Sequence, residues 1–400
     1  MKSIKKSSTL ILRLDEKEHK VIKLKSILFN KKKSEYLRSC ALEYWGDLSN
    51  NSSFKELLLK YREGDESDKK LVVNLLFEYY RRIGFPYTFL TDEQKINRMN
   101  RIINTKKVLL EDNHLQQNIV GVDLANCFHP HMMEVGYNDG SRTPWETFNN
   151  DDWLKDCINR WLELDKVPNH SGMRRILKTR DKTRGVVGYK PAISKFIYDT
   201  FVPENGKVLD PCAGYSGRLA GCIASNKNIL YHGIDPDGRT AKGNMECASF
   251  FNSQYYDNVF NNKMYNFRFK FDLGCAEEVM KDIKEEYDLI FSSSPYYDIE
   301  MYSKELSQSY MKYDTYDKWL NGFLFKIVDE SYRILKSEGK LILNIKNTPK
   351  YKIADDLCKY CERDWELERT YHMRLSNLEY SRADGKPKYH TEPIFVFEKK

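Results

Sequence analysis

Two short stretches of this 400-residue chain carry residue types suited to holding a small charged ligand against the backbone. In Gly206-Lys-Val-Leu-Asp-Pro-Cys-Ala-Gly-Tyr-Ser-Gly-Arg218, apolar Val208 and Leu209 precede Asp210-Pro211, and Gly214 and Gly217 follow where the chain must turn. The stretch reads as a buried strand, a glycine loop and a helix over Leu219 to Ala224. Glycine lets a ligand approach the backbone amides, and amides at a helix N-terminus attract carboxylate or phosphate. The same spacing also serves plain strand-to-helix connections. In the second stretch, the apolar run Tyr287-Asp-Leu-Ile-Phe291 leads straight into Ser292-Ser-Ser-Pro-Tyr-Tyr-Asp298.

The elements around these stretches form an ordered series. Tyr231-His-Gly-Ile-Asp235 reads as a second strand ending in a carboxylate about 20 residues beyond the glycine loop, where a doubly wound fold places an acid for ribose hydroxyls. Asp237 competes for that role. Phe267 to Phe271 gives a third strand, followed by Gly274-Cys-Ala-Glu277, and Tyr287 to Phe291 a fourth. Tyr316 to Leu335 reads as an amphipathic helix ended by Gly339, and Lys340 to Ile345 as a fifth strand. No internal repeat is visible.

This order of motifs resembles the class I S-adenosylmethionine-dependent methyltransferases, and more narrowly the DNA amino-methyltransferases. That family carries a Lys-Pro segment before its glycine loop, an Asp-Pro-Phe-x-Gly-x-Gly loop, and a catalytic (Asp/Asn/Ser)-Pro-Pro-(Tyr/Phe) after its fourth strand. Here Lys190-Pro191, Asp210-Pro-Cys-Ala-Gly214 and Ser293-Ser-Pro-Tyr296 stand at those places. The resemblance covers residues 185 to 400 and departs in two places: Ser294 replaces the first proline, and Tyr215-Ser216 precede Gly217 in a looser loop. The register Ser294-Pro295-Tyr296-Tyr297 is an alternative; the distance from Asp288 matches the family with Ser293 first.

The resemblance implies an α/β fold, a Rossmann-like class I methyltransferase sheet of seven strands, closed by an antiparallel pair at Leu367 to Met373 and Glu392 to Phe397. It implies S-adenosylmethionine as cofactor. Lys190, Pro191, Asp210, Cys212, Ala213, Gly214 and Gly217 would border its methionine part, Asp235 its ribose, and Cys275 and Ala276 its adenine. Ser293 and the backbone of Ser294 would hold the two hydrogens of a base amine, Pro295 would stiffen the loop, and Tyr296 would stack on an extruded base. Tyr297 and Asp298 are second candidates for the base pocket.

Composition bounds the remainder. A chain of 400 residues with 41% hydrophobic content holds about two or three globular domains. No run of about 18 apolar residues spans a membrane and no signal peptide is recognisable, so a cytoplasmic location, in a bacterial or phage-infected cell, is expected. Nine scattered cysteines argue for reduced thiols. Cys358-x-x-Cys361 lacks a second pair at zinc spacing, and His129 and His131 in Cys127-Phe-His-Pro-His-Met-Met133 read as packing or hydrogen-bonding residues, so no metal site is expected.

Of the net charge of +7, nearly all the excess lies in residues 1–50, with 12 Lys/Arg against 6 Asp/Glu, a footprint for a polyanion. Residues 8–14 alternate with period two, and helical patterns follow from Asp15 and Ser34. This segment, 1–48, resembles ribbon-helix-helix DNA-binding proteins, including plasmid-mobilisation accessory factors. By that resemblance it would pair with a second copy in a homodimer, turn Thr9, Ile11 and Arg13 towards DNA bases, and hold a phosphate near Lys33 and Ser34. A solvated basic hairpin packed on the main domain is the alternative.

Asn50 to Ser53 reads as a linker, residues 54–185 as a mainly helical domain that helps select the target, and residues 186–400 as the catalytic domain. Phe77, Tyr79, Tyr80, Arg81 and Arg82 form either a base-stacking cluster or a core stripe with solvated arginines. The basic run at Arg174-Arg175 and Lys178 to Arg184 contacts phosphates or is an exposed connector. The functional expectation is a DNA methyltransferase acting on adenine N6 or cytosine N4, of the restriction-modification kind. Its competitors are a DNA-binding factor with an inactive methyltransferase domain and an RNA methyltransferase, the latter opposed by a ribbon that reads a DNA groove.

Overall fold

The computed structural model describes residues 51–106, 108–116, 118–166, 169–256, 267–380 and 387–400. The expected ribbon-helix-helix segment 1–48, with Thr9, Ile11, Arg13, Lys33 and Ser34, lies outside the described residues. The described chain divides into two compact units, one from residues 51–87 and 144–183 and one from 88–143 and 184–400.

The first unit is helical, with helices at Asn51–Glu63, Glu66–Ile83, Pro144–Asn149, Asp151–Glu163 and His170–Thr179. Asp65, Asn150 and Asn169 each accept a backbone N–H at a helix start, which satisfies donors left over at that end. The first helix begins at Asn51, inside the stretch expected as a linker. In the Phe77 to Arg82 cluster, Tyr79 and Tyr80 are buried and Arg81 pairs with Asp151 at 2.6 Å. Periodicity places both tyrosines inward, so the cluster is a core stripe with its arginine at the rim.

The second unit is built on a mixed sheet. Its strands are β1 His114–Leu115, β3 Lys207–Asp210, β4 Ile229–Asp235, β5 Phe267–Leu273, β6 Tyr287–Ser292, β8 Leu335–Asn344, β9 Trp365–Tyr380 and β10 Pro387–Lys399; β2 Gly136–Tyr137 and β7 Glu300–Met301 form a separate antiparallel ribbon. The order in the large sheet is β1-β9-β10-β8-β6-β3-β4-β5. This is the expected seven-stranded arrangement with the two-residue β1 added at one edge. Strands β5, β4, β3, β6 and β8 are parallel neighbours, and β10 runs antiparallel to β8 and β9. The chain proceeds from β3 outward through β4 and β5 and returns to β6 on the other side of β3. A crevice therefore opens at the carboxyl ends of β3 and β6.

Alternate residues along the central strands feed two cores. Val208, Leu289, Phe291 and Ile342 face one side, while Leu209, Ile290, Leu341 and Leu343 face the other. Both faces are covered by helices, as parallel strands require. Helices α1 Asp92–Ile103, α2 Val122–Cys127, α3 Pro191–Phe201, α4 Gly217–Ser225 and α5 Gly238–Tyr256 contribute to the first core. Helices α6 Ala276–Asp282, α7 Phe325–Ile334 and α8 Ile353–Cys361 contribute to the second.

Two boundaries differ from the sequence reading. Residues 88–143, expected within a helical domain 54–185, belong to the unit of the sheet, because Met99, Ile102, Leu115 and Leu124 are buried in one core with Ile193, Leu219 and Phe251. The helix expected from Tyr316 to Leu335 ends at Ile334 with a π turn at Leu320–Leu324, but the strand expected from Lys340 already begins at Leu335, so Gly339 is not the helix stop. Gly339 lies inside β8, where a Cβ would sit 3.1 Å from the Asp288 carbonyl oxygen. Absence of a side chain there answers a close approach of β6.

Candidate active site

Strand β3 delivers Asp210 to the bottom of the glycine loop. Its carboxylate is fully buried and accepts from Arg218 Nε at 2.6 Å, the Tyr231 hydroxyl at 2.7 Å and Ser292 Oγ at 3.0 Å. One group thus ties β3, α4, β4 and the end of β6 together. Arg218 also donates to the Cys212 carbonyl and lies over the Tyr189 ring at 5.2 Å, and its side chain is 4% exposed. A charge so enclosed needs this carboxylate beside it.

Above this pair the loop turns through left-handed backbone at Gly214 (φ 57°) and Ser216 (φ 56°). The serine is held there by side chains from outside the loop. Its Oγ donates to Asn244 Oδ1 at 2.9 Å and receives His129 Nε2 at 2.7 Å, while Asn244 donates to the Gly214 carbonyl at 2.7 Å. That pattern leaves His129 protonated on Nε2, with Nδ1 unpartnered among the described residues. Burial pushes this imidazole down to about 3, so it stays neutral. His131 meets Thr240 Oγ1 at 3.0 Å, and both histidines pack edge-on against Tyr215. These histidines hydrogen-bond and pack under the loop; they belong to the stretch assigned from sequence to a separate domain.

A cavity of about 660 Å³ opens over the loop, and both Asp235 and the Ser293 to Tyr296 turn line it. Lys190, Cys212, Gly214, Asp235, Cys275 and Ala276 lie on its wall. Gly214 N–H and Asp237 N–H donate to the two oxygens of Asp235 at 2.9 and 3.0 Å, which fixes the carboxylate at the end of β4. Burial pushes its pKa up to about 7. Asp237 also lines the cavity, but its Oδ1 accepts Arg239 N–H at 2.8 Å and Thr240 N–H at 3.3 Å at the start of α5. Cys275 precedes α6 and its thiol reaches the Ser307 carbonyl at 3.3 Å.

Four residues expected at the cofactor stand behind the wall. Pro191 opens α3 and Ala213 bonds the loop to β4 through the Ile234 carbonyl at 2.9 Å. Asp210 lies beneath the loop as described. Gly217 faces away from the cavity, and a Cβ on it would stand 2.2 Å from the Tyr189 carbonyl oxygen. Gly217→Ala is therefore expected to destabilise the unit by about 1–3 kcal/mol through overpacking against backbone that cannot yield. A thermal melt should show a clearly lowered midpoint; an unchanged one would mean that the two segments separate freely.

Ser293, Ser294, Pro295 and Tyr296 all reach the cavity wall. Ser294 is 3% exposed, and its Oγ has no protein partner among the described residues. A buried hydroxyl without a partner calls for a ligand or water there. Tyr296 presents its ring to the cavity and donates its hydroxyl to Glu392 of β10. Tyr297, expected to face DNA, is instead 6% exposed in an aromatic cluster with Tyr316, Trp319 and Tyr351. Its backbone is left-handed (φ 54°), which turns successive side chains to opposite sides. Only the register beginning at Ser293 puts the motif tyrosine in the cavity. Asp298 pairs with Lys350 at 2.7 Å, outside the wall.

The sequence reading missed the opposite wall. Glu300 of β7 receives the Tyr137 hydroxyl at 3.3 Å and that of Tyr302, and Lys346 stands 3.6 Å from Glu392. Burial raises the pKa of Glu300, and its two tyrosine donors pull the other way. Glu300 follows Ser293 closely in the chain, but Tyr137 and Glu392 come from distant segments with no motif around them.

The family model described as DNA methylase, of the N6/N4 methyltransferase type, matches residues 287–400. No curated protein matches. Among solved structures, the chain is similar to TrmN from Thermus thermophilus at 14% identity, with a TM-score of 0.35 over 52% of this chain and 49% of that one. It is similar to an S-adenosylmethionine-dependent O-methyltransferase from Thermotoga maritima at 12% identity, with a TM-score of 0.34 over 58% and 72% of the two chains. An rRNA methylase from Streptococcus thermophilus is similar at 11% identity, with a TM-score of 0.31 over 54% and 98%. The chain thus spans about half the length of the Thermus protein.

Proposed function

We propose that this chain, whose residues 287–400 match the DNA methylase family, transfers a methyl group from S-adenosylmethionine to adenine N6 or cytosine N4 in DNA. The observation that carries the reading is the placement of the motif Ser293 to Tyr296 and the Asp235 carboxylate on the wall of a single cavity. The residues fit the cofactor. Asp235 is a buried, fixed carboxylate suited to a ribose diol, and Pro236, Ala276 and Phe323 give apolar wall for a purine ring. The bound cofactor supplies an electrophilic methyl group on a sulfonium.

The protein's task is to make a poor nucleophile attack. An exocyclic amine has its lone pair delocalised into the ring, and acceptors on both of its hydrogens let the nitrogen pyramidalise. Ser293 Oγ and the Ser294 backbone take those roles in this reading, and Tyr296 stacks on the base, which has to leave the duplex to reach the cavity. Ser293 at the first motif position leans towards cytosine N4. Residues 1–48, with their excess of Lys and Arg, supply further attraction for DNA, and their pairing with a second copy would make the protein a homodimer.

Transfer of labelled methyl groups to duplex DNA and to RNA of the same sequence, over a salt series, tests the substrate class. DNA is expected to be methylated with strong salt dependence; preference for RNA would overturn the reading. Asp235 adds a second test. Its carboxylate form accepts the ribose hydroxyls, so cofactor affinity should rise as pH climbs through about 7, where the buried acid ionises. Calorimetry with S-adenosylhomocysteine should show this rise in wild type, and about 10-fold or weaker binding with no such rise in Asp235→Asn. Equal affinities at pH 6 and pH 8 would remove Asp235 from the ribose site.

A further inference from the structure

The motif at the end of β6 begins with serine, so it brings no carboxylate to the reacting amine. Of the carboxylates on the cavity wall, Asp235 and Asp237 are held by backbone amides at the glycine loop and the start of α5, and Glu277 is paired with Lys312 at 2.8 Å, which leaves Glu300 on β7 and Glu392 on β10. They are differently furnished. Glu392 takes the Tyr296 hydroxyl and has the Lys346 ammonium 3.6 Å away, so a cation shares its charge. Glu300 receives only neutral donors, the hydroxyls of Tyr137 and Tyr302, and forms no ion pair among the described residues. Its position is set by the β2–β7 ribbon, which pairs Tyr137 with Glu300 and fixes the strand that leaves the motif loop.

We propose that Glu300 is the general base of the methyl transfer, taking the proton that the target amine sheds on methylation after Ser293 Oγ and the Ser294 backbone have oriented its two hydrogens. Resting on the methyltransferase reading, the step balances as follows. The amine lone pair forms the new N–C bond, the C–S bond breaks with its electron pair going to sulfur, and one N–H proton passes from the nitrogen to the Glu300 carboxylate and on to solvent. Tyr137 and Tyr302 are positioning residues that hold the carboxylate and favour its ionised form. Burial raises the pKa of this carboxylate, which makes it a stronger base than a solvated glutamate.

Single-turnover rates on duplex DNA across pH 5.5 to 9, with thermal melts at each pH, test this. Wild type should gain rate with rising pH and reach a plateau. Glu300→Gln should be about 100-fold slower at the plateau and lose the acid limb, while still binding S-adenosylhomocysteine. Tyr302→Phe keeps the carboxylate but removes a donor to it, so its acid limb should move to higher pH. The melts need no cofactor: an ionised, uncompensated Glu300 burdens the folded state, so the midpoint of Glu300→Gln should gain on wild type as pH rises. A Glu300→Gln rate and profile like wild type, an unmoved limb in Tyr302→Phe, or a pH-independent gap in the melts would each overturn the proposal. Methylation by the wild type bears on the function itself, and the variants bear on Glu300 alone.

Discussion

Asp210→Ala should destabilise the second unit by about 3–5 kcal/mol, the cost of leaving a buried charge without its partner. The Arg218 side chain is 4% exposed and has its Nε 2.6 Å from this carboxylate. The same substitution strips partners from Tyr231 and Ser292, which hold β4 and the start of the Ser293 to Tyr296 turn. A unit of this size loses roughly 2–4 °C per kcal/mol, so the thermal midpoint should drop by about 10 °C. Asp210→Ala combined with Arg218→Met removes both charges and should recover part of the loss, because an apolar replacement of a buried pair is tolerated better than half of it. A single variant as stable as wild type would show that Arg218 reaches water, and the loop would need another explanation.

Tyr296→Ala should leave cofactor affinity in place and slow methylation by up to about 100-fold, as expected where an aromatic ring contributes about 1–3 kcal/mol by stacking on a base. Tyr296→Phe separates ring from hydroxyl. It keeps the stacking face and removes only the hydrogen bond to Glu392, so its loss should be smaller. Single-turnover kinetics on duplex DNA with calorimetry on S-adenosylhomocysteine measures both effects. If Tyr296→Ala methylates at the normal rate, the motif tyrosine does not meet the base.

The parts of this structure legible in the sequence are those fixed by local pattern. Val208-Leu209 and Leu289 to Phe291 announce buried strands because a parallel sheet covered on both faces needs apolar residues on both sides. Gly214 is legible because the chain must turn there, and Asp235 because it ends a strand. Gly217 misled for a physical reason: glycine also answers close packing, here against Tyr189, and the letter alone does not say which. Asp210 belongs to the loop motif but works from below, through an arginine that the motif does not announce. Glu300 and Glu392 were hidden because their roles depend on contacts between segments far apart, such as Tyr296 on Glu392; His129 reads from sequence as a packing or hydrogen-bonding residue, but its partner Ser216 does not. Residues 88–143 were assigned to the wrong unit because an amphipathic helix shows that it has a buried face, not what that face lies against.

The exposed surface carries no helix, among the described residues, long and apolar enough to cross a membrane.

The central claim, transfer to an exocyclic amine of DNA, is tested most directly by nucleoside analysis. The purified protein is incubated with S-adenosylmethionine and mixed-sequence duplex DNA, the DNA is digested, and methylated nucleosides are separated by mass spectrometry. N4-methylcytosine or N6-methyladenine is expected, and neither from the Tyr296→Ala sample at matched times. Methyl groups on carbon, as in 5-methylcytosine, or no methylated base from a protein that binds the cofactor, would contradict the claim.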